Sequence, residues 1–245
     1  MLSGIFQAAA GMKVRLSVHE VIANNLANAG SAGFQREVVS VRSAPVPQAE
    51  TAGRPRIMSQ AAQAPSEFLE TLSTADARSG ALHDTQSPND LALDGPGYLV
   101  VRTENGVRLV RGGAVRVNAR GELSTTSGDP LLAQDGSPIH VGTSTWRIGA
   151  DGTVTAAGKP LGRLRVVEPT AAPVREGAHL MAAGGIRDVK GGRTRVLQGF
   201  LEHSNVDPVR EMVDMIAGMR AYEAASRAVA AQDETLQSLM DVVRR

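Results

Sequence analysis

The chain contains no cysteine among its 245 residues. Disulfide bonds, thiolate metal sites and cysteine nucleophiles are therefore excluded, and every cellular compartment remains open. Aromatic residues make up only 3% of the sequence. Because a deep core usually carries more aromatic bulk, this low content predicts thin hydrophobic cores.

An excess of charge of either sign is also missing, since 26 Lys and Arg residues face 25 Asp and Glu residues. The sequence therefore offers no electrostatic attraction for nucleic acid or anionic lipid. No apolar run approaches the roughly 18 residues that a membrane span needs. Gln7, Lys13 and Arg15 interrupt the N-terminal apolar residues, which argues against a cleaved signal peptide. These residues alone predict a cytoplasmic protein, unless it leaves by an export route without signal cleavage.

The C-terminal region has the pattern of one long helix. Asp207 is a good N-cap and Pro208 suits the first helical position, which predicts a helix from Pro208 to about Val243. Apolar residues recur along it at steps of three and four. They are Val209, Met212, Ile216, Met219, Tyr222, Ala225, Val229, Leu236, Leu239 and Val243, with Gln232 as the polar exception. A second, alanine-rich seam beside it comprises Val213, Ala217, Ala221, Ala224, Ala228 and Ala231.

The N-terminal region predicts a second helix that ends near Asn28, where Asn and Gly residues crowd together. Its apolar stripe comprises Leu2, Ile5, Ala9, Met12, Leu16, Ala23 and Leu26 and is broken by His19. His19 is predicted to be an interface histidine rather than a metal ligand. Two adjacent seams on one helix require more than one partner. We therefore expect the chain ends to pack against other copies or other proteins. In the alternative interpretation the two helices pair with each other in a monomeric bundle.

Between the helices the pattern changes to short apolar runs, such as Tyr98 to Val101, Val107 to Val110 and Ala114 to Val117. Turn dipeptides such as Asn105-Gly106 separate them, which indicates antiparallel strands. The predicted fold class is α+β. Its terminal helices form a coiled-coil-like helical domain over residues 1–33 and 205–245, and an antiparallel all-β domain is inserted over residues 80–169. Residues 34–79 and 170–204 are predicted to be extended connectors, with an irregular, Pro-rich stretch from Ser43 to Pro65.

The pattern of an enzyme is missing. The five histidines are scattered, with none at the i,i+4 spacing of metal ligands. The sequence lacks the G-x-S-x-G elbow of hydrolases, and Gly95-Pro96-Gly97 precedes a strand instead of a helix, unlike a dinucleotide site. We therefore predict no catalytic residue, cofactor, metal site or small-molecule substrate.

Three asparagines in five positions, Asn24, Asn25 and Asn28, lie at the end of the N-terminal helix. Asn is a poor residue for a helix interior. We predict that these amides tie the helix end to the connector and to the turn at Ser204-Asn205; the alternative is simple helix termination. The residues predicted to form assembly contacts are Leu2, Ile5, Met12, Leu16, Asn24, Asn25, Leu26, Asn28, Asn205, Met212, Ile216, Met219, Tyr222, Ala224, Ala228, Leu236 and Leu239.

Four segments together resemble the flagellar rod and hook proteins. Ala23 to Asn28, followed by Gly33 to Arg36, is similar to the family's A-N-N-L-A-N and G-F-K/R elements. Asn89 to Tyr98 resembles the D-L-A-I-x-G-x-G-F/Y motif, and Gln198 to Asp207 resembles Q-G-x-L-E-x-S-N-V. Glu211 to Glu223 resembles the core of the C-terminal helix, E-M-V-x-M-I followed by R-A-Y/F-E. Gln35 departs from the Lys or Arg that is common at its position.

This resemblance implies a structural subunit of the rod of the bacterial flagellar basal body. Its terminal helices would form a tube around the export channel, with the β domain outside. It implies export by the flagellar type III apparatus without signal cleavage, and a place in the periplasmic space. The implied partners are other copies, neighbouring rod and hook proteins and the export apparatus. Nucleic acid and membrane insertion are not implied. The proximal-rod FlgF type is favoured over the distal-rod FlgG type, and a rod-associated cell-wall hydrolase is the alternative from another class.

Overall fold

The computed structural model describes residues 2–45, 67–177, 180–189 and 192–243. Within them lie two helices, α1 (Leu2–Ala27) and α2 (Pro208–Val243), and 17 strands. Both predicted helix ends are confirmed: α1 ends next to Asn28, and α2 begins at Pro208. Local signals sufficed here, because an N-cap followed by proline and a cluster of Asn and Gly act within one helical turn.

In the described part of the region between the helices, one strand follows another. They are β1 (Glu37–Pro45), β2 (Glu67–Ala75), β3 (Leu82–Asp84), β4 (Asp90–Asp94), β5 (Tyr98–Thr103), β6 (Gly106–Val110), β7 (Gly113–Val117), β8 (Leu123–Thr125), β9 (Trp146–Ile148), β10 (Thr153–Ala156), β11 (Lys159–Arg163), β12 (Val166–Pro169), β13 (Val174–Glu176), β14 (Leu180–Ala182), β15 (Ile186–Asp188), β16 (Arg195–Gln198) and β17 (Phe200–Glu202).

The strands form several sheets whose described pairings are antiparallel. A six-stranded sheet has the order β13-β14-β6-β5-β12-β15, and a four-stranded sheet the order β16-β4-β7-β8. Smaller sheets are β11-β10-β9, β17-β3 and β1-β2. A tight β5–β6 hairpin lies where a turn was predicted, but the turn is shifted by one residue: Thr103 pairs with Gly106, so Glu104 and Asn105 form the loop and Gly106 begins β6.

The predicted fold class is wrong. The described residues form one N-terminal helix, one C-terminal helix and a large all-β region made of several sheets, and not a coiled-coil-like domain with a β insertion. Late strands pair with early ones, since β16 lies beside β4 and β14 beside β6. Strands of three or four residues show too little alternation to be found from sequence, and only these long-range pairings define them. Of the described apolar side chains expected in the α2 seam, those of the first three turns are exposed and those that follow are half-buried; the exposed ones are Val209, Met212, Ile216 and Met219, and the half-buried ones are Tyr222, Ala225 and Val229.

The contacts divide the chain into two units. One comprises residues 1–26, 39–73 and 208–245, and therefore most of both helices and of the β1–β2 sheet. The other comprises residues 27–38 and 74–207, and therefore the remaining sheets. We call this second unit the β body. Within the stretch predicted to be irregular, residues 43–45 belong to β1, and residues 46–65 lie outside the described residues.

Two aliphatic clusters form the core of the second unit, and β5 lies between them. Leu99 and Val101 belong to the larger cluster, whereas Tyr98 and Val100 belong to the smaller one. Because successive side chains of a strand point to opposite faces, β5 is buried on both. The remaining members of both clusters are mostly Leu, Val, Ile and Ala.

Candidate assembly site

The start of α2 carries an exposed row of large apolar side chains, which we call the outer stripe. Its members are 45% to 68% exposed. They are Val209, Met212, Val213, Ile216 and Met219. Because α2 has 3.6 residues per turn, positions 209, 212, 216 and 219 lie above one another, with Val213 beside them. Contiguous apolar surface of this kind marks an interaction site in a soluble protein.

A different face of α2 is partly buried within the chain. Glu211 is buried, and Met215, Gly218 and Tyr222 are half-buried at steps of three and four. The Nδ2 atom of Asn25 donates to Oε2 of Glu211 over 3.5 Å, and both side chains are 1% exposed. The inward face of α2 is therefore rotated away from the outer stripe.

A cavity of about 360 Å³ lies beside the same face. Gly218 of α2 lines it together with residues of α1, namely Gly11, Val14, Arg15, Val18, His19 and Ile22. His19, predicted to be an interface histidine, is half-buried there. The face of α1 that lines this cavity is thus largely distinct from the predicted stripe.

The residues predicted to form contacts from the helices have mixed environments. Leu16, Met212, Ile216, Met219, Ala224 and Ala228 are exposed, whereas Met12, Asn24, Leu26 and Tyr222 are half-buried. The side chains of Leu2, Ile5, Leu236 and Leu239 lie outside the described residues. A role of these residues in assembly stays a prediction.

The asparagines have separate partners. Asn25 bonds to Glu211, and Oδ1 of Asn28 accepts a bond from Oγ of Ser31 over 3.3 Å. Oδ1 of Asn205 accepts from the amide of Arg36 over 2.6 Å. The Nδ2 atom of Asn205 donates to the carbonyl oxygens of Asp76 and Arg78 over 3.2 and 2.8 Å. Asn205 therefore joins two segments that are distant in sequence.

Arg175 of β13 binds the segment from Phe34 to Glu37, which runs from the motif after α1 into the start of β1. Its guanidinium lies 4.0 Å from the centre of the Phe34 ring. It donates to the carbonyl oxygen of Gln35 over 2.6 Å and forms an ion pair with Glu37 at 2.6 Å. A planar guanidinium can stack and bond at once, which a lysine cannot do in the same way. Burial lowers the pKa of Arg175, while Glu37 acts in the opposite direction.

Arg111 and Glu202 form a second ion pair, which is fully buried. Nε of Arg111 lies 2.7 Å from Oε2 of Glu202, and the amide of Gly80 donates to the other carboxylate oxygen over 2.8 Å. Arg111 also donates to the carbonyl oxygens of Gly95 and Gly97 and to Oγ of Ser79, the last over 2.6 Å. Burial raises the pKa of Glu202, and Arg111 opposes that rise. Burial likewise raises the pKa of Tyr98, whose hydroxyl donates to Oε1 of Gln35 over 2.7 Å.

Sequence reasoning missed these buried polar residues. Gln35, Tyr98 and Glu202 lie inside the motifs that carried the family resemblance, so their position was the available signal. Nothing local distinguished Arg111 or Arg175 from the other arginines. Glu202, the partner of Arg111, lies 91 positions later in the sequence. Glu37, the partner of Arg175, lies 138 positions earlier.

Within the described ranges, no group of three or more His, Cys, Asp or Glu side chains could hold a metal ion. Among the described residues, no helix is both long and apolar enough to cross a membrane. The geometry contains an exposed apolar stripe on α2 and a set of buried polar contacts around Arg111 and Arg175.

Comparisons with known proteins agree with this description. Residues 197–242 match the family model for the flagellar basal body rod FlgEFG protein C-terminal region. The chain is 32% identical to flagellar basal-body rod protein FlgF of Escherichia coli, with 94% of each chain covered. It is 30% identical to FlgF of Caulobacter vibrioides, covering 92% of this chain and 90% of the relative. It is 28% identical to flagellar basal-body rod protein FlgG of Bacillus subtilis over 100% of both chains.

Proposed function

The chain belongs to the family of flagellar basal-body rod proteins, and we propose that within it the protein is a rod subunit of the FlgF type that polymerises through its terminal helices. The family is structural and not enzymatic, so the hydrolase alternative is set aside. The observation that carries the proposal is the outer stripe of α2. Five large apolar side chains that are 45% to 68% exposed in the single chain require a partner.

The proposed partners of the outer stripe are other copies of the chain and neighbouring rod proteins. Its position favours helix packing, because Met212, Ile216 and Met219 follow the three-four spacing of a packed helix seam. The half-buried face around Gly218 and Tyr222 is already turned toward the chain itself. One face of α2 can therefore pack against its own chain while another face packs against a neighbouring subunit.

The proposed place is the periplasmic part of the rod, reached through the flagellar export apparatus without signal cleavage. Export would have to carry the whole chain, because the proposed assembly uses both terminal helices. Mass spectrometry of the N-terminal peptide of the untagged subunit from isolated basal bodies tests this. Intact Met1 and Leu2 in the assembled protein would support it, whereas a shortened N-terminus would contradict it.

The polymerisation proposal is tested with Ile216→Asp in the outer stripe, with Gln237→Asp as the matched control on an exposed position outside it. Both changes add one carboxylate to α2. We expect Ile216→Asp to abolish incorporation into basal bodies while the β body melts as in the unmodified chain. Normal incorporation of the Ile216→Asp chain would refute the proposed role of the stripe.

The FlgF type is supported by 32% identity to the Escherichia coli FlgF protein, against 28% to the Bacillus subtilis FlgG protein. The FlgG type is the second candidate, because the Bacillus subtilis match covers 100% of both chains. Labelling of the subunit in isolated basal bodies, followed by electron microscopy, separates the two. Label at the proximal end of the rod supports the FlgF type, and label at the distal end supports the FlgG type.

A further inference from the structure

The second unit contains a cavity of about 370 Å³ that opens onto its main core. We call it the open cavity. Leu99, Val110, Val115 and Leu131, which line it, are all buried members of the larger hydrophobic cluster. A cavity with an apolar floor fits an apolar side chain better than it fits water.

The wall of the open cavity has room for an inserted group. Gly113 lines it at a φ of +124°, and a Cβ atom placed on Gly113 would meet no atom within 4 Å. The mouth is polar, since the lining also includes Thr125, Thr126, Asp129 and Glu176, of which Thr126 and Glu176 are exposed. Glu176 already pairs with Arg108 at 2.6 Å, and Asp129 bonds only weakly to Oγ1 of Thr125, at 3.4 Å. The carboxylate of Asp129 is therefore the group at this mouth best able to receive a cation.

A projecting side chain on the same unit has the complementary properties. Leu161 lies in β11, the edge strand of the β11-β10-β9 sheet. Val154 pairs with Gly162 and Thr155 with Pro160, so Leu161 is the extra residue of a β-bulge. A bulge changes the direction of a side chain, and Leu161 is 45% exposed. Lys159 and Pro160 beside it are exposed as well.

The composition of β11 indicates contact through side chains and not through strand addition. Pro160 has no amide hydrogen, and prolines on edge strands prevent pairing with a further strand. Lys159 and Arg163 make the strand basic, and it contains no acidic residue. Leu161 is thus an apolar knob with the cation of Lys159 beside it. These properties match the open cavity, which has an apolar floor and Asp129 at its mouth.

We propose that Leu161 of one copy inserts into the open cavity of the next copy, with Lys159 beside Asp129. This inference rests on the proposed function, since it requires neighbouring copies in a polymer. Knob and cavity are different surfaces of one chain, so the contact is heterologous. Heterologous contacts that do not close generate helical filaments, and a rod is such an assembly.

The absence of cysteine allows a direct test by cross-linking. Leu161→Cys is combined with Thr126→Cys, an exposed residue of the cavity mouth. In basal bodies treated with a short bis-maleimide, this double variant should give a ladder of cross-linked multimers. Val107→Cys with Thr126→Cys is the matched control, because Val107 is 46% exposed in another hairpin; it should give no ladder.

Single variants determine the geometry of the contact. A mixture of Leu161→Cys chains and Thr126→Cys chains should give dimers and nothing larger, because each chain then carries one reactive surface. Dimers from Leu161→Cys alone would indicate a symmetric contact and would overturn the proposal. Cross-linking of Thr126→Cys to a different flagellar protein, with none to a second copy, would overturn the choice of partner.

A charge exchange provides a second, independent test. Lys159→Glu should lower incorporation into basal bodies at least tenfold, and adding Asp129→Lys should restore part of the loss. Trp146 fluorescence shows whether each variant β body is folded. If the double cysteine variant enters basal bodies normally but gives no ladder, this inference alone is refuted. If the unmodified chain does not enter basal bodies, the proposed function is refuted as well.

Discussion

Arg111 and Glu202 form an ion pair of 2.7 Å inside the β body, with side chains that are 1% and 2% exposed. The pair joins the residue after β6 to the last residue of β17. It is surrounded by further hydrogen bonds from Gly80 and to Ser79. Breaking a buried pair leaves one charge without its partner, which costs far more than the loss of a surface pair.

Arg111→Leu is therefore expected to lower the free energy of unfolding of the β body by about 3–5 kcal/mol. The control is Arg195→Leu, since Arg195 and its partner Asp94 are 66% and 38% exposed. That change should cost less than about 1 kcal/mol. Trp146 is the only tryptophan of the chain and packs against the main core, so its fluorescence in denaturant measures both values. Equal losses would mean that the buried pair contributes no more than the surface pair.

Acidification should increase the contribution of Glu202 to stability and decrease the contribution of Asp76. Burial raises the pKa of Glu202 above 4.5, so the folded chain takes up this proton before the unfolded chain does. The contribution of Glu202 to stability therefore increases as the pH falls through that raised pKa toward the ordinary value of 4.5. A hydrogen bond from Arg78 lowers the pKa of Asp76 below 3.8, so its contribution is lost as the pH falls through the folded value.

The comparison of the unmodified chain with Glu202→Gln isolates the pH-dependent contribution of Glu202 to stability. The stability of the unmodified chain relative to Glu202→Gln should rise between neutral pH and about the ordinary glutamate value of 4.5. Denaturant midpoints measured by Trp146 fluorescence across this range give the difference. A relative stability that falls with acidification would show that Arg111 outweighs burial at this carboxylate.

Asn25→Ala and Asn205→Ala should affect different parts of the molecule. Asn205→Ala removes a partner from the Arg36 amide and from the Asp76 and Arg78 carbonyl groups. It should lower the stability of the β body by about 1–3 kcal/mol. Asn25→Ala removes a bond to Glu211 between the two helices. It should leave Trp146 unfolding unchanged and increase amide exchange in both helices.

Hydrogen exchange and Trp146 fluorescence on the same preparations check this contrast. Loss of β-body stability in Asn25→Ala would show that the Asn25 amide also supports the sheets. Impaired incorporation into basal bodies with an unchanged β body would instead support the predicted role of Asn25 in assembly.

Ala224→Leu should be tolerated by the single chain and harmful to the polymer. Ala224 is exposed in the single chain, so a larger side chain meets open surface. If a neighbouring helix packs closely there, the added atoms should cost about 1–3 kcal/mol at every contact. Motility and basal-body incorporation, compared with helix content by circular dichroism, measure the two effects. Full motility would place this face of α2 away from any neighbour.

The limits of both helices could be predicted from the sequence, because their signals are local. Asp207 and Pro208 begin α2, and the Asn and Gly residues around Asn28 end α1. The place of the β5–β6 hairpin was predictable for the same reason, since Asn105 and Gly106 indicate a turn, although its loop consists of Glu104 and Asn105. The order of four motifs along the chain was sufficient to suggest the family.

Tertiary structure alone decided which helix face is buried and which strands pair. Spacing shows that Met212, Ile216 and Met219 share a face, but whether that face meets the chain or solvent depends on where α1 lies. The pairings of Arg111 with Glu202 and of β16 with β4 bring together residues about a hundred positions apart. Local patterns specify the conformation of a segment, whereas its partner is selected by the free energy of packing the whole chain.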